Sequence, residues 1–153
     1  MNRLQKLAAI VLPLVFFSAA SAQTPVKRIG PDTSYIATAI WAGDTLYVSG
    51  QLTVPEKGTT TDTKSQTITV LKSIENILKE QGLAMGDVVQ MRVYLVPDPA
   101  TGKLDFAGMN EAYKQFFGTK EQPNKPVRAT IQAGALVAPG ALVEIEVVAV
   151  RSK

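Results

Sequence analysis

Two charged residues near the C-terminal end sit in segments patterned as strands, and together they could do chemistry. Arg128 lies in Lys125-Pro-Val-Arg-Ala-Thr-Ile-Gln-Ala133, and Glu144 in Ala141-Leu-Val-Glu-Ile-Glu-Val-Val-Ala149. Alternation puts Arg128, Thr130 and Gln132 on one face of the first segment, with Val127, Ala129, Ile131 and Ala133 on the other. In the second, Leu142, Glu144, Glu146 and Val148 share a face opposite the apolar row Val143, Ile145, Val147 and Ala149. A hairpin through Ala138-Pro139-Gly140 would bring Arg128 and Glu144 onto one surface. A guanidinium is a planar fork suited to a ligand carboxylate, and a nearby carboxylate can hold or activate a water. The same pair also reads as a plain cross-strand ion pair at an interface, where such pairs add little net stability.

Composition narrows the chemistry. The chain has no Cys and no His, which excludes thiolate or imidazole metal sites, Ser-His-Asp hydrolysis and histidine-based ribonuclease chemistry. No metal site is expected. The N-terminal segment reads as a signal peptide: Arg3 and Lys6 supply the charged region, Leu7 to Phe17 the apolar stretch, and Ala20-Ser21-Ala22 the cleavage pattern before Gln23. That stretch is interrupted by Pro13 and falls short of the roughly 20 apolar residues a spanning helix needs. The expected organisation is therefore a signal peptide over 1–22, an extended arm over 23–34 and one domain over 35–153. The expected location is periplasmic or secreted, with no membrane attachment after cleavage. Both basic residues of the leader would be lost and none of the 13 acids, lowering the net charge from +3 to +1. No basic run suits nucleic acid, which is not an expected partner.

The elements that must position Arg128 and Glu144 are legible in order. Thr38 to Trp41 and Thr45 to Gln51 read as strands joined across Ala42-Gly43-Asp44. A helix follows, with Thr63 and Gln66 as a capping box, a stripe of Ile68, Leu71, Ile74, Ile77 and Leu78, and Gly82 just past its end. Asp87 to Val96 is the next strand. A second helix, N-capped by Asp105, sends Phe106, Met109, Tyr113, Phe116 and Phe117 toward the core and ends at Gly118. The order predicts an α+β fold, a mixed β-sheet with two helices packed on one face. The other face would display Tyr47, Ser49, Gln51, Gln90, Arg92, Tyr94 and the polar residues of the two C-terminal strands. Such a face can be solvated sheet. Its Tyr, Arg and Gln, with almost no Lys, match a polar subunit interface better.

These residues resemble the RidA (YjgF) family of reactive imine and enamine deaminases, over Tyr35 to Arg151. The landmarks are Tyr35, Ser49-Gly50-Gln51, Gly86-Asp87-Val88-Val89, Met109-Asn110-Glu111-Ala112-Tyr113 with Phe116-Phe117, Pro126-Val127-Arg128 and Glu144-Ile145-Glu146-Val147. The resemblance implies a homotrimer whose sheets form a central barrel-like core, with clefts between adjacent subunits and no cofactor. It implies hydrolysis of 2-imino or enamino acids to 2-keto acids with release of ammonia. Arg128 would clamp the substrate carboxylate and Glu144 would position or activate water. Tyr35, Ser49, Asn110 and Thr130 would line the cleft, some from the neighbouring subunit. Many members carry cysteine two residues after the arginine; Thr130 stands there here, offering a small side chain and the same backbone amide. Two other functions are open: a non-catalytic small-ligand-binding or holdase-like trimer, and an endoribonuclease, which the absent histidine and near-neutral mature charge disfavour.

Overall fold

A computed structural model describes residues 24–56 and 62–152. The segment read as a signal peptide lies outside the described residues, as does part of the loop before the first helix. Six strands form one sheet: β1 (Val26–Ile29), β2 (Ala39–Ala42), β3 (Thr45–Leu52), β4 (Val88–Leu95), β5 (Val127–Gln132) and β6 (Val143–Val150). Their spatial order is β1-β2-β3-β6-β4-β5, with β4 and β5 parallel and every other neighbouring pair antiparallel. Part of the extended arm thus adds to the sheet as edge strand β1. Helices α1 (Thr63–Glu80) and α2 (Phe106–Tyr113) follow β3 and β4. Helix α1 packs on β3, β6 and α2, giving the α+β architecture expected.

β6 is the structural centre. Its apolar row, Val143, Ile145, Val147 and Ala149, is buried under the helices together with Leu46, Val48, Met91, Val93 and Leu95. From above, α1 contributes Val70, Leu71, Ile74 and Leu78, and α2 contributes Met109. Phe106, expected in this core, is instead exposed, because it is the first residue of α2 and precedes the buried Gly108 and Met109.

The helix ends follow local chemistry. Asp105 caps α2 by accepting a hydrogen bond from the Gly108 amide at 2.8 Å. Past α1, Gly82 at φ +73° lets the Leu83 amide reach back to the Leu78 carbonyl at 2.9 Å, a Schellman closure. The start of α1 departs from the expected capping box. Asp62 is the cap, accepting from the Ser65 amide at 2.6 Å. Gln66 turns inward: its amide nitrogen donates to the Gly140 carbonyl and its oxygen accepts from the Leu142 amide, each at 2.8 Å. A buried side-chain amide with both partners on the 133–142 connection ties that loop to α1 more usefully than a helix end could.

The main correction concerns the C-terminal strands. β5 and β6 are not a hairpin; β4 lies between them, and β5 is an edge strand parallel to β4. Alternation specifies which residues share a face but not which strand is the neighbour, and the apolar 133–142 connection simply spans β4.

Candidate functional site

The strand register sets where each candidate side chain goes. Arg128 is opposite Met91 and Thr130 opposite Val93, both core residues of β4, so Arg128 and Thr130 lie on the helix-covered face. Val127, Ala129 and Ile131, expected to face the core, point to the open face instead; Val127 is 72% exposed. The inversion has a simple cause. Over this edge of the sheet α2 presents polar and aromatic groups to Arg128 rather than a purely apolar surface.

The Arg128 guanidinium is held from three sides by α2. Its Nη2 donates to Asn110 Oδ1 at 2.7 Å, its Nη1 lies 3.8 Å from Met109 Sδ, and its carbon sits 4.4 Å from the centre of the Tyr113 ring. Burial pushes the Tyr113 phenol above its ordinary value of 10.0, against the opposing pull of the Arg128 charge. Thr130 Oγ1 is buried without a hydrogen-bond partner. A thiol, being a weaker hydrogen-bonding group, would lose less than a hydroxyl in that position.

Glu144 is elsewhere. It lies on the open face, opposite Tyr94 of β4 and Leu52 of β3. The Glu144 carboxylate lies directly against Gly50, so that a Cβ added there would collide with Oε1 and lie 2.9 Å from the carboxyl carbon. Gly50 belongs to a register shift between Val48 and Gln51. That bulge rotates Gln51 to the core side, where its oxygen accepts from Ser73 of α1 at 3.3 Å, so Gln51 does not share a face with Tyr47 as expected. Ser49 donates to the Ala37 carbonyl at 2.7 Å and its amide reaches the Thr38 carbonyl at 3.0 Å. These two bonds anchor the 30–38 segment, from which Tyr35 projects fully exposed at 106%. Tyr35 plugs nothing in its own chain.

The candidates therefore form two groups. Arg128, Asn110 and Thr130 gather beneath α2; Glu144, Ser49 and the segment bearing Tyr35 gather around the β3 bulge. From the register, Met91 links Arg128 to Val147, three residues from Glu144. Two strand spacings and that offset put the Arg128 and Glu144 backbones roughly 14 Å apart, with side chains on opposite faces of the sheet. They do not form an ion pair. The cross-strand pair that does exist is Arg92 with Glu146, at 2.6 Å, a contact that raises the Arg92 pKa. Beside it the open face holds a shallow depression of about 250 Å³, lined by Ile40, Tyr47, Ser49 and Gln90 among others. Among the described residues no group of three or more His, Cys, Asp or Glu side chains could hold a metal ion.

Two residues do more than their sequence pattern implies. Tyr113 packs against the core as expected and, three residues from Asn110, shares a helix face with it. Gly50, in the sequence only a landmark beside Ser49, is the surface on which Glu144 rests.

A mixed six-stranded sheet with two helices on one side, Arg128 on the covered face and Glu144 on the open one, defines an α+β domain of the YjgF type. Residues 26–151 match the family model described as endoribonuclease L-PSP, and the chain belongs to that family. A RutC family protein of Pyrococcus abyssi is 36% identical over 126 residues, covering 80% of this chain and 88% of that protein. The Escherichia coli protein named "Putative reactive intermediate deaminase TdcF" is 37% identical over 112 residues, covering 72% and 81%. Among solved structures, a YjgF family protein of Neisseria meningitidis superposes with a TM-score of 0.68 at 28% identity, covering 86% of this chain and 98% of that one.

Proposed function

We propose that this protein is a hydrolytic deaminase of reactive 2-imino and enamino acids, acting in clefts where the Arg128 group of one copy meets the Glu144 group of the next. The observation that carries this reading is that Arg128, half-buried beneath α2, and Glu144, half-buried against Gly50, lie on opposite faces of one sheet. A small imino acid spans only a few ångströms and cannot touch both within a single copy. A cyclic assembly, in which the exposed row Val127, Ala129 and Ile131 and the open face around Tyr47 are covered by neighbours, would bring complementary halves together. A homotrimer is the proposed assembly, with the sheets as its central core.

In such a cleft the substrate carboxylate is bound by Arg128. Water held by Glu144 adds to the carbon of the protonated C=N bond and gives a proton to the Glu144 carboxylate, forming a carbinolamine. Glu144 returns that proton to the amino nitrogen, the C–N bond breaks as the hydroxyl proton is lost and the carbonyl forms, and ammonia (with that proton, ammonium) and the 2-keto acid leave. The imine is already electrophilic, so orientation and one proton acceptor suffice. Asn110 steadies the clamp, while Thr130, Ser49 and Tyr35 line the walls. The name of the Escherichia coli relative supports the same chemistry. The pattern of residues 1–22 supports action in the periplasm or outside the cell, with no membrane or nucleic-acid partner.

The test is hydrolysis of 2-iminopropionate, generated in situ by an amino-acid oxidase, with and without the protein. Acceleration that disappears in Arg128→Ala supports the deaminase. Small carboxylates that bind without any acceleration would favour the non-catalytic module instead.

A further inference from the structure

The C-terminal end of α2 and the turn that follows it carry an aromatic relay that ends on the clamp. Phe117, buried in the core at 3% exposure, stacks on Tyr113 with ring centres 4.9 Å apart and planes inclined by 20°. Tyr113 in turn lies 4.4 Å beneath the Arg128 guanidinium carbon. Asn110, three residues earlier on the helix, fixes one edge of the guanidinium at 2.7 Å, and the buried Met109 lies at 3.8 Å from Nη1. We propose that Tyr113 is the positioning residue of the site: its ring, held by Phe117, is the platform that aims Arg128 at the substrate carboxylate.

The geometry carries this in three ways. An arginine side chain is long and rotamer-rich, and a clamp is useful only if its fork is held before the ligand arrives. Ring stacking on one flat side and the Asn110 bond on one edge fix both the plane and the rotation of the fork. Those contacts engage two N–H groups; the guanidinium's other three of five remain for a bidentate carboxylate. The contribution belongs to the ring and not to the hydroxyl, because cation–π attraction is made by the ring face.

The inference rests on the deaminase reading for its substrate, but its test does not depend on turnover. Pyruvate, the keto acid left when 2-iminopropionate is hydrolysed, is titrated calorimetrically into the assembled wild type and into Tyr113→Phe, Tyr113→Leu, Tyr113→Met and Arg128→Ala. Imine turnover is measured in parallel. Loss of the ring should weaken pyruvate binding and raise KM by about tenfold, with kcat changed by no more than about threefold, because the clamp grips ground state and transition state alike. Tyr113→Phe should restore wild-type binding. Tyr113→Met keeps an unbranched apolar filler under the arginine and distinguishes a lost platform from a collapsed helix if Tyr113→Leu does not fold. Unchanged pyruvate affinity in the folded non-aromatic variants, while Arg128→Ala abolishes binding, overturns the platform and leaves the deaminase reading standing. Equal damage in Tyr113→Phe and Tyr113→Leu also overturns it, by assigning the effect to the hydroxyl. Normal pyruvate affinities that follow the ring, without any imine turnover in the wild type, keep the platform and overturn the deaminase. A wild type that neither binds pyruvate nor turns over the imine overturns both; if it turns over the imine without measurable pyruvate binding, the KM values of the same variants decide the platform by the same criteria.

Discussion

Gly50→Ala probes the site with little disturbance elsewhere. Gly50 does not adopt a positive φ, so alanine brings no backbone strain there. Its Cβ would collide with Glu144 Oε1 and stand 3.1 Å from the Glu144 Cγ. The carboxylate is the free end of a flexible side chain and can swing away. Moving it off its preferred rotamer costs about 0.5–1.5 kcal/mol, and replacing a strand glycine by alanine returns about 0.5–1 kcal/mol. Net stability should therefore change by less than about 1 kcal/mol, a shift of only a few degrees in Tm for a domain of this size. Activity should respond far more. A displacement of about 1 Å of a group that positions the attacking water costs on the order of a hundredfold in rate. Turnover of 2-iminopropionate and thermal unfolding, measured on the same preparation, give both numbers. A variant within about twofold of wild-type kcat, alongside an inactive Glu144→Gln, would refute the idea that Gly50 sets where the carboxylate stands.

Two further outcomes concern the scaffold. Gln66→Leu deprives the Gly140 carbonyl and the Leu142 amide of their buried partner, and should cost about 1–3 kcal/mol in urea unfolding. Asp62→Ala removes the cap of α1 and should cost about 1 kcal/mol near neutral pH. Hydrogen bonding from the Ser65 amide lowers the Asp62 pKa below its ordinary 3.8. The unfolded chain thus takes up that proton first, and the cap's contribution is complete above 3.8 and fades as pH falls through the depressed value. The difference between wild type and Asp62→Ala should stay constant from about pH 7 to pH 5 and shrink below about pH 4; a difference that grows on acidification would contradict the assignment.

Local signals in the sequence carried through well. Asp105 at the head of α2, Gly82 beyond α1, Gly43 in the β2–β3 turn and the apolar row of β6 each depend on neighbours within a few residues, and each stands as expected. What was not legible depends on which strands are neighbours. β4 separates β5 from β6, which changes the relation of Arg128 to Glu144 from shared surface to opposite faces. An edge strand covered by one short helix can turn its apolar row outward, and only the register with Met91 and Val93 reveals that Arg128 points beneath α2. A single bulge at Gly50 turned Gln51 to the other side, because period two survives only while the ladder is regular. The candidate residues could be chosen by type; their division into two groups could not be read from alternation.

That division is also the most exposed claim. Arg128→Ala and Glu144→Gln, each inactive alone, can be unfolded together, refolded at equal concentration and assayed with 2-iminopropionate. If each cleft takes Arg128 from one copy and Glu144 from its neighbour, random assortment into trimers restores one cleft in each mixed trimer, about one quarter of the wild-type activity over the whole refolded population. No restored activity, with mixed assemblies present by mass, would contradict the account, since both groups would then have to come from the same chain.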